Sequence, residues 1–283
     1  MSERISPVLL RQEIGRRLRK AREAARLNLE VSAQHLDTSI SSLSRIENGT
    51  SIVTVHLVRS MMDLYDCRLD DLIEMVRAAR RPGWWKAYGI SDSDFVALET
   101  GACRLFNYEP SFVPGLLQTA DYTRAVFESG RRRRDDEWII NQLAVRTIRQ
   151  ERLTDDDEPL TLDAVIHEFV LRHPVGGPAV MRAQLRHLAL ITELPTVSLR
   201  VLPASVFSFE AMHGGFIILD FRSPGQPTLA YLDHILGAER NDRTEPVREA
   251  RLRFDHLRSL ALNPDDSMVF IERVAEELWS SRE

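Results

Sequence analysis

The chain has 283 residues, 43% hydrophobic and 28% charged, which excludes a disordered or low-complexity protein and suits about two globular domains. No stretch approaches the ~20 apolar residues of a membrane span. Cys67 and Cys103 have neither disulfide-framework nor zinc spacing. The net charge of −5 is uneven: residues 1–81 hold 14 basic and 11 acidic residues, a balance of +3, and the remainder carries −8.

Met1 to Lys20 is rich in charge and lacks the apolar run of a signal peptide, so a cytoplasmic, nucleoid-associated protein is expected. Of the 37 basic residues 35 are arginine, a bias that reads as GC-rich coding sequence and an actinobacterial source.

Ile14, Leu18, Ala21 and Ala25 have helical spacing, and Arg11, Arg16, Arg17, Arg19, Lys20, Arg22 and Arg26 cover the other faces. Such a basic face suits phosphate contact. Asn28 can cap a second helix, Leu29 to His35, with Glu30 in its first turn. Leu36-Asp37-Thr38 makes a tight connection to Ser39, a second N-cap, and to a short helix that Asn48-Gly49 ends. On that helix Leu43 and Ile46 share one face, while Ser41, Ser42 and Arg45 lie off it. Small hydroxyls allow close approach to a major groove, and arginine can fork onto guanine or phosphate. The order helix, short helix, turn, short helix is the helix-turn-helix plan, whose second member enters DNA.

Residues 10–66 resemble the Xre/Cro-type helix-turn-helix domain. The resemblance rests on Ile14-Gly-Arg-Arg-Leu-Arg19, Ala33, Leu36 and above all Leu43-Ser-Arg-Ile-Glu-Asn-Gly49. It implies that Arg45 faces DNA and that Glu47 serves the fold. Two positions depart from the family: Leu29 stands where Gln is frequent, and Asp37 where Gly is usual. The candidate DNA-contacting set is Asn28, Ser39, Ser41, Ser42, Arg45 and Thr50. A modest positive balance predicts weak binding by one copy, hence a homodimer on a two-fold double-stranded operator.

Farther on, a helix over about 54–65 and another from Asp70 complete a small core, and Arg77 to Gly83 reads as a linker. The expected division is an all-α helix-turn-helix domain of about five helices, residues 1–81, followed by an α+β domain, residues 82–283. Trp84 and Trp85 cannot share one helix side, so one is expected to pack on the first domain or on a partner. Strands are expected at 102–108, 160–166, 197–202, 215–221 and 228–232, giving a mixed or antiparallel sheet of four or five strands. Helices are expected at 120–128, 135–153, 178–194, 247–262 and 267–279. Arg131 to Arg134, beside Asp135, Asp136 and Glu137, read as a solvated turn. His213-Gly-Gly215 reads as a hinge or a turn.

Tyr108-Glu-Pro110, Val113-Pro-Gly-Leu-Leu-Gln-Thr119, Arg146-Thr-Ile-Arg-Gln150, Glu168, Gln184-Leu185 and Val201-Leu-Pro203 resemble the C-terminal domain of WhiJ-like, antitoxin-like actinobacterial regulators. That resemblance implies a small partner protein encoded nearby and a role in development or secondary metabolism. An apolar docking surface is expected around Trp84, Trp85, Phe112, Leu116 and Leu117. Glu168 is expected to pair with Arg146 or Arg149, structurally or lining a pocket. The alternative is a small-molecule effector held in a cleft between sheet and helices, altering dimer geometry, and a further alternative is a cryptic enzymatic activity of this domain. No phosphate-cradling loop or His-Glu-x-x-His is present. His167, Glu168 and His173 are close in sequence, but strand alternation would send the first two to opposite faces. No catalytic residue, metal or cofactor is expected.

Overall fold

A computed structural model of the chain describes residues 6–91, 95–131, 133–223 and 225–279. Arg132, within the four-arginine run, lies outside the described residues. The chain divides into two compact units. One runs to Gly101 and takes in Ser223–Gln226; the other comprises Ala102–Arg222 and the chain from Pro227 onward.

The first unit is helical: α1 (Pro7–Ala24), α2 (Leu29–His35), α3 (Ile40–Glu47), α4 (Val55–Leu64), α5 (Asp70–Ala79), a 3-10 turn at Trp84–Tyr88 and α6 (Phe95–Glu99). Local chemistry sets the starts of α1 to α4. Ser6, Asn28, Ser39 and Thr54 each accept an amide hydrogen bond with the side chain, from Leu9, Val31, Ser42 and Leu57. The same four helices end alike. Leu27, Thr38, Thr50 and Cys67 donate to Arg22, Ala33, Arg45 and Met62 carbonyls five residues back, closing Schellman caps. The residue before each donor is left-handed: Arg26 (φ 57°), Asp37 (47°), Gly49 (68°) and Asp66 (48°). Only one of the four is glycine.

Ile14, Leu18, Leu43, Ile46, Val58, Met61 and Leu72 are buried in this unit's core. Two glycines let backbone meet backbone. A Cβ at Gly15 would lie 2.5 Å from the Ile46 and Glu47 carbonyl oxygens, and one at Gly49 would lie 2.5 Å from Gln12 Cα. Backbone of α1 therefore rests directly on the end of α3.

The second unit contains β1 (Ala102–Glu109), α7 (Ala120–Glu128), α8 (Asp136–Gln150), β2 (Thr161–His167), α9 (Phe169–Arg172), α10 (Pro178–Ile191), β3 (Val197–Leu202), β4 (Phe216–Phe221), β5 (Leu229–His234), β6 (Gly237–Asn241), α11 (Thr244–Leu260) and α12 (Pro264–Trp279). The strands form one mixed sheet in the order β3-β2-β1-β4-β5-β6. β1, β2 and β3 are parallel; β4, β5 and β6 join antiparallel. The α+β class is as the sequence suggests, with β6 as a sixth strand. Phe106 and Tyr108 of β1 meet Phe254 and Leu257 of α11 in one core cluster. The Phe106 and Phe254 rings meet edge-on, their centroids 5.3 Å apart.

Candidate nucleic-acid interface

α2, the Leu36–Ser39 connection and α3 form the helix-turn-helix. Leu43 (0% exposed) and Ile46 (4%) fix the back of α3 in the core. Ser41 and Arg45 are exposed on its other side, and Ser42 is half-buried. Among the described residues the Arg45 guanidinium has no hydrogen-bond partner, so its fork of donors is available to a base edge or phosphate. Asn28 and Ser39 are occupied through one oxygen each by capping, at 2.8 and 3.0 Å. The Asn28 amide nitrogen remains at the surface as a donor. Thr50 Oγ1 donates to the Arg45 carbonyl at 3.1 Å, so this residue first closes the helix end.

The basic face expected on α1 is largely neutralised. Arg16 pairs with Glu13 (2.8 Å), Arg17 binds both oxygens of Asp71 (2.5 and 2.8 Å), and Arg19 pairs with Glu23 (2.9 Å). Arg22 is taken inside, where Nε and Nη2 donate to both oxygens of buried Glu47 at 2.7 and 2.8 Å. That carboxylate raises the Arg22 pKa above its ordinary value. Glu47 thus ties the end of α3 to α1, the structural role the resemblance implies. Arg16–Glu13 and Arg19–Glu23 are three and four residues apart on one helix, a spacing visible in the sequence; only Arg17–Asp71 and Arg22–Glu47 needed the fold.

Asp37 holds a left-handed conformation that costs an L-residue about 1–2 kcal/mol. Asp37→Gly is expected to stabilise the first unit by about 0.5–1 kcal/mol, the strain relief exceeding the unfolded-state entropy it adds. Urea denaturation would measure this. A lower midpoint would show that the Asp37 side chain makes a compensating contribution.

The C-terminal candidates require correction. Trp85 (0% exposed), Leu116 (2%) and Leu117 (0%) are packed inside and offer nothing to a partner. Gly83 lies so close to Trp85 that a Cβ there would fall 2.3 Å from the indole. Trp84 is half-buried and its indole donates to Thr100 Oγ1 at 3.2 Å. Phe112 alone of that set is largely exposed, at 46%.

The Val113–Thr119 string owes its character to a polar clamp. Gln118 Nε2 donates to the Val113 carbonyl (2.6 Å), and Gln150 Nε2 to the Gln118 carbonyl (2.7 Å). Gln184 donates to the Leu117 carbonyl (2.7 Å) and accepts from the Thr119 amide (2.8 Å). Arg146 donates to Gln118 Oε1. Arg146 is therefore a brace for the loop after β1. Arg149 lies on the same helix, and a Cβ at Gly115 would be 3.7 Å from its Nη2.

Glu168 pairs with Arg172 at 2.5 Å and accepts from the Ala204 amide at 2.8 Å, where Arg146 or Arg149 was expected. Its backbone is helical, past the end of β2, so strand alternation does not govern it. His173 stacks on Phe169, centroids 4.9 Å apart. Among the described residues no group of three or more His, Cys, Asp or Glu could hold a metal ion.

Glu109, part of the Tyr108-Glu-Pro110 motif, is the carboxyl most strongly shifted among the described residues. It ends β1. Gly215 stands beside it just past the Tyr108–Phe216 pair of the β1–β4 ladder, and a Cβ there would lie 2.8 Å from Glu109 Oε2. Burial, with a contribution from the Asp233 carboxylate, pushes its pKa up to about 7.

Residues 13–75 match a helix-turn-helix domain, and residues 92–273 match a domain of unknown function, DUF5753. No curated protein and no solved structure matches the chain. Among the described residues no helix is long and apolar enough to cross a membrane.

Proposed function

Because the chain belongs to the DUF5753 family and carries a helix-turn-helix domain ahead of that domain, we propose that it is a dimeric, sequence-specific transcriptional regulator of the Xre type. Residues 1–81 read DNA and residues 82–283 regulate that binding. The observation that carries this reading is α3 itself, a helix anchored by Leu43, Ile46 and the buried Glu47 that presents Ser41 and an unpaired Arg45 outward. Ser41, Ser42 and Arg45 enter the major groove; Asn28, Ser39 and Thr50 flank it at the phosphates. The neutralised face of α1 supplies little phosphate affinity, which supports the need for two copies on a two-fold operator. The protein acts in the cytoplasm, in the manner of WhiJ-like, antitoxin-like regulators of actinobacterial development.

The C-terminal domain takes up a small partner protein. Supporting this is a short segment that holds Phe207 (84% exposed), Phe209 (67%) and Met212 (74%) in solvent. The second reading, a small-molecule effector, draws on an open groove of about 470 Å³ between α10 and α12. It is lined by Leu190 and Met268 beside Glu193, Asp265 and Glu272, which suits an apolar cation.

The test is a titration of duplexes from the protein's own promoter region against random duplex. Arg45→Ala is expected to weaken the specific complex by ~1–3 kcal/mol and leave random DNA little changed. Equal loss on both would assign Arg45 to phosphate. A chain that ignores every duplex at low salt would end the regulator reading.

A further inference from the structure

Phe106, Tyr108 and Ile218 pack toward α11, so strand alternation sends Leu105, Asn107 and Glu109 to the other face of the sheet. That face is built from cross-strand rows. In the first row Leu105 lies between Leu162 and Leu219, and all three are buried. In the second, Asn107 lies between Ala164 and Ile217, and Ile217 pairs in turn with Tyr231. In the third, Glu109 pairs with Ile166. Continuing the ladders two residues past Ile217 and Tyr231 brings Gly215 and then Asp233 into that row. Asn107 and Glu109 are thus polar intrusions on the central strand of an otherwise apolar face.

Neither has a donor. Asn107 is 4% exposed, and its Oδ1 has no hydrogen-bond partner. A buried oxygen left so is costly and uncommon in folded proteins. Among the described residues no donor reaches the Glu109 carboxyl, and the charged group that acts on it is a second carboxylate, Asp233. Gly215 keeps the gap between Glu109 and Asp233 free of a side chain. Tyr122 of α7 borders the carboxyl on the helix side; burial first, and the Glu109 charge after it, raise the pKa of its phenol. Three acceptors therefore meet at the carboxyl end of β1. The chain leaves β1 for β2 and β3 on one side and returns to pair β4 on the other. Open sheets take their ligands outside the strands' carboxyl ends at such a switch point.

Among the described residues no group of three or more His, Cys, Asp or Glu could hold a metal ion, so the acceptors suit an organic cation with several N–H donors. Phe112 after β1, Met212 before β4 and Ile235 after β5 stand exposed at the same end of the sheet, where an apolar body would lie. We propose that Asn107, Glu109 and Asp233 form a binding site for a small primary-ammonium compound with an apolar body. The ammonium donates to Asn107 Oδ1 and to the two carboxylates. The site needs only the second unit and stands apart from the regulator reading.

The test is calorimetric titration of the full chain with phenethylamine at about pH 8, above the Glu109 pKa of about 7. One molecule per chain is expected to bind with a dissociation constant of about 1 mM or below. Phenethyl alcohol has the body without the charge and methylamine the charge without the body; each should bind at least about tenfold more weakly. Glu109→Gln should weaken phenethylamine by about tenfold or more, and Asn107→Leu by about fivefold. Each variant removes a polar group that lacks a partner, so each should raise the urea midpoint of the free chain at this pH and leave its circular dichroism spectrum unchanged. Weaker binding by a more stable chain is not lost folding. Equal affinity of the wild type and either variant for the amine overturns the proposal, as does an alcohol that binds as well as the amine. A wild type that takes up no phenethylamine at about 10 mM also overturns it, and leaves the proton as the cation that Glu109 holds.

Discussion

Glu47→Ala is expected to destabilise the first unit by about 3–5 kcal/mol, a large part of the 5–15 kcal/mol that holds a typical domain together. The Arg22 and Glu47 side chains are only 9% and 4% exposed, and they meet through two parallel bonds. Arg22 Nη1 also donates to the Leu27 carbonyl at 2.8 Å, closing the end of α1. Without Glu47 a guanidinium that cannot lose its proton stays buried, with only the exposed Glu23 carboxylate, 3.9 Å from Nη2, as counter-ion. The loss comes from that stranded charge; the intact pair by itself adds little over an apolar pair. Arg22→Met with Glu47→Leu should therefore recover most of the stability, because both charges leave together and the volume stays filled. Denaturant unfolding followed by helical circular dichroism distinguishes these outcomes. A single-substitution cost under about 1 kcal/mol would mean that water reaches the pair. The functional consequence is local: α3 loses the tie that orients Arg45, so duplex affinity should fall with stability.

Glu109→Gln is expected to stabilise the second unit, but only at neutral and alkaline pH. The carboxyl has its folded pKa raised to about 7 from an ordinary 4.5, through burial and then Asp233. The folded state therefore binds its proton more tightly than the unfolded chain. Stability tied to that proton is fully present below about pH 4.5, declines as pH rises, and is gone above about pH 7. At pH 8 the wild type keeps a poorly solvated carboxylate beside Gly215, and the neutral glutamine should be more stable by about 2–3 kcal/mol. At pH 5 the gap should shrink to under about 1 kcal/mol. Denaturant midpoints at the two pH values measure it. A gap independent of pH would show that the carboxylate finds solvent or a cation in solution.

The helix-turn-helix was legible because its signals are local. Side-chain caps at Asn28 and Ser39, helical spacing of Leu43 and Ile46, and Gly49 as a stop all act within one turn of the chain. The caps at Arg26, Asp37 and Asp66 were harder to see. The Schellman bonds that close each helix end hold those residues left-handed, against their own preference. In the C-terminal unit five of the strands were legible, the first from its alternation and its aromatics. β6 escaped because Gly-Ala-Glu-Arg-Asn has neither alternation nor β-branched residues, and only the edge of β5 makes it a strand.

The candidate site divides the same way. The sequence alone determined which side of α3 stays outward, since one period-3.6 pattern settles it. Only the tertiary structure decided that Arg17 and Arg22 of α1 are matched by Asp71 and Glu47, that Trp85, Leu116 and Leu117 are core, and that Arg146 braces a loop. Charge pairing and burial depend on distances between residues far apart in the chain. A local pattern specifies which face a side chain occupies, but not what waits opposite it.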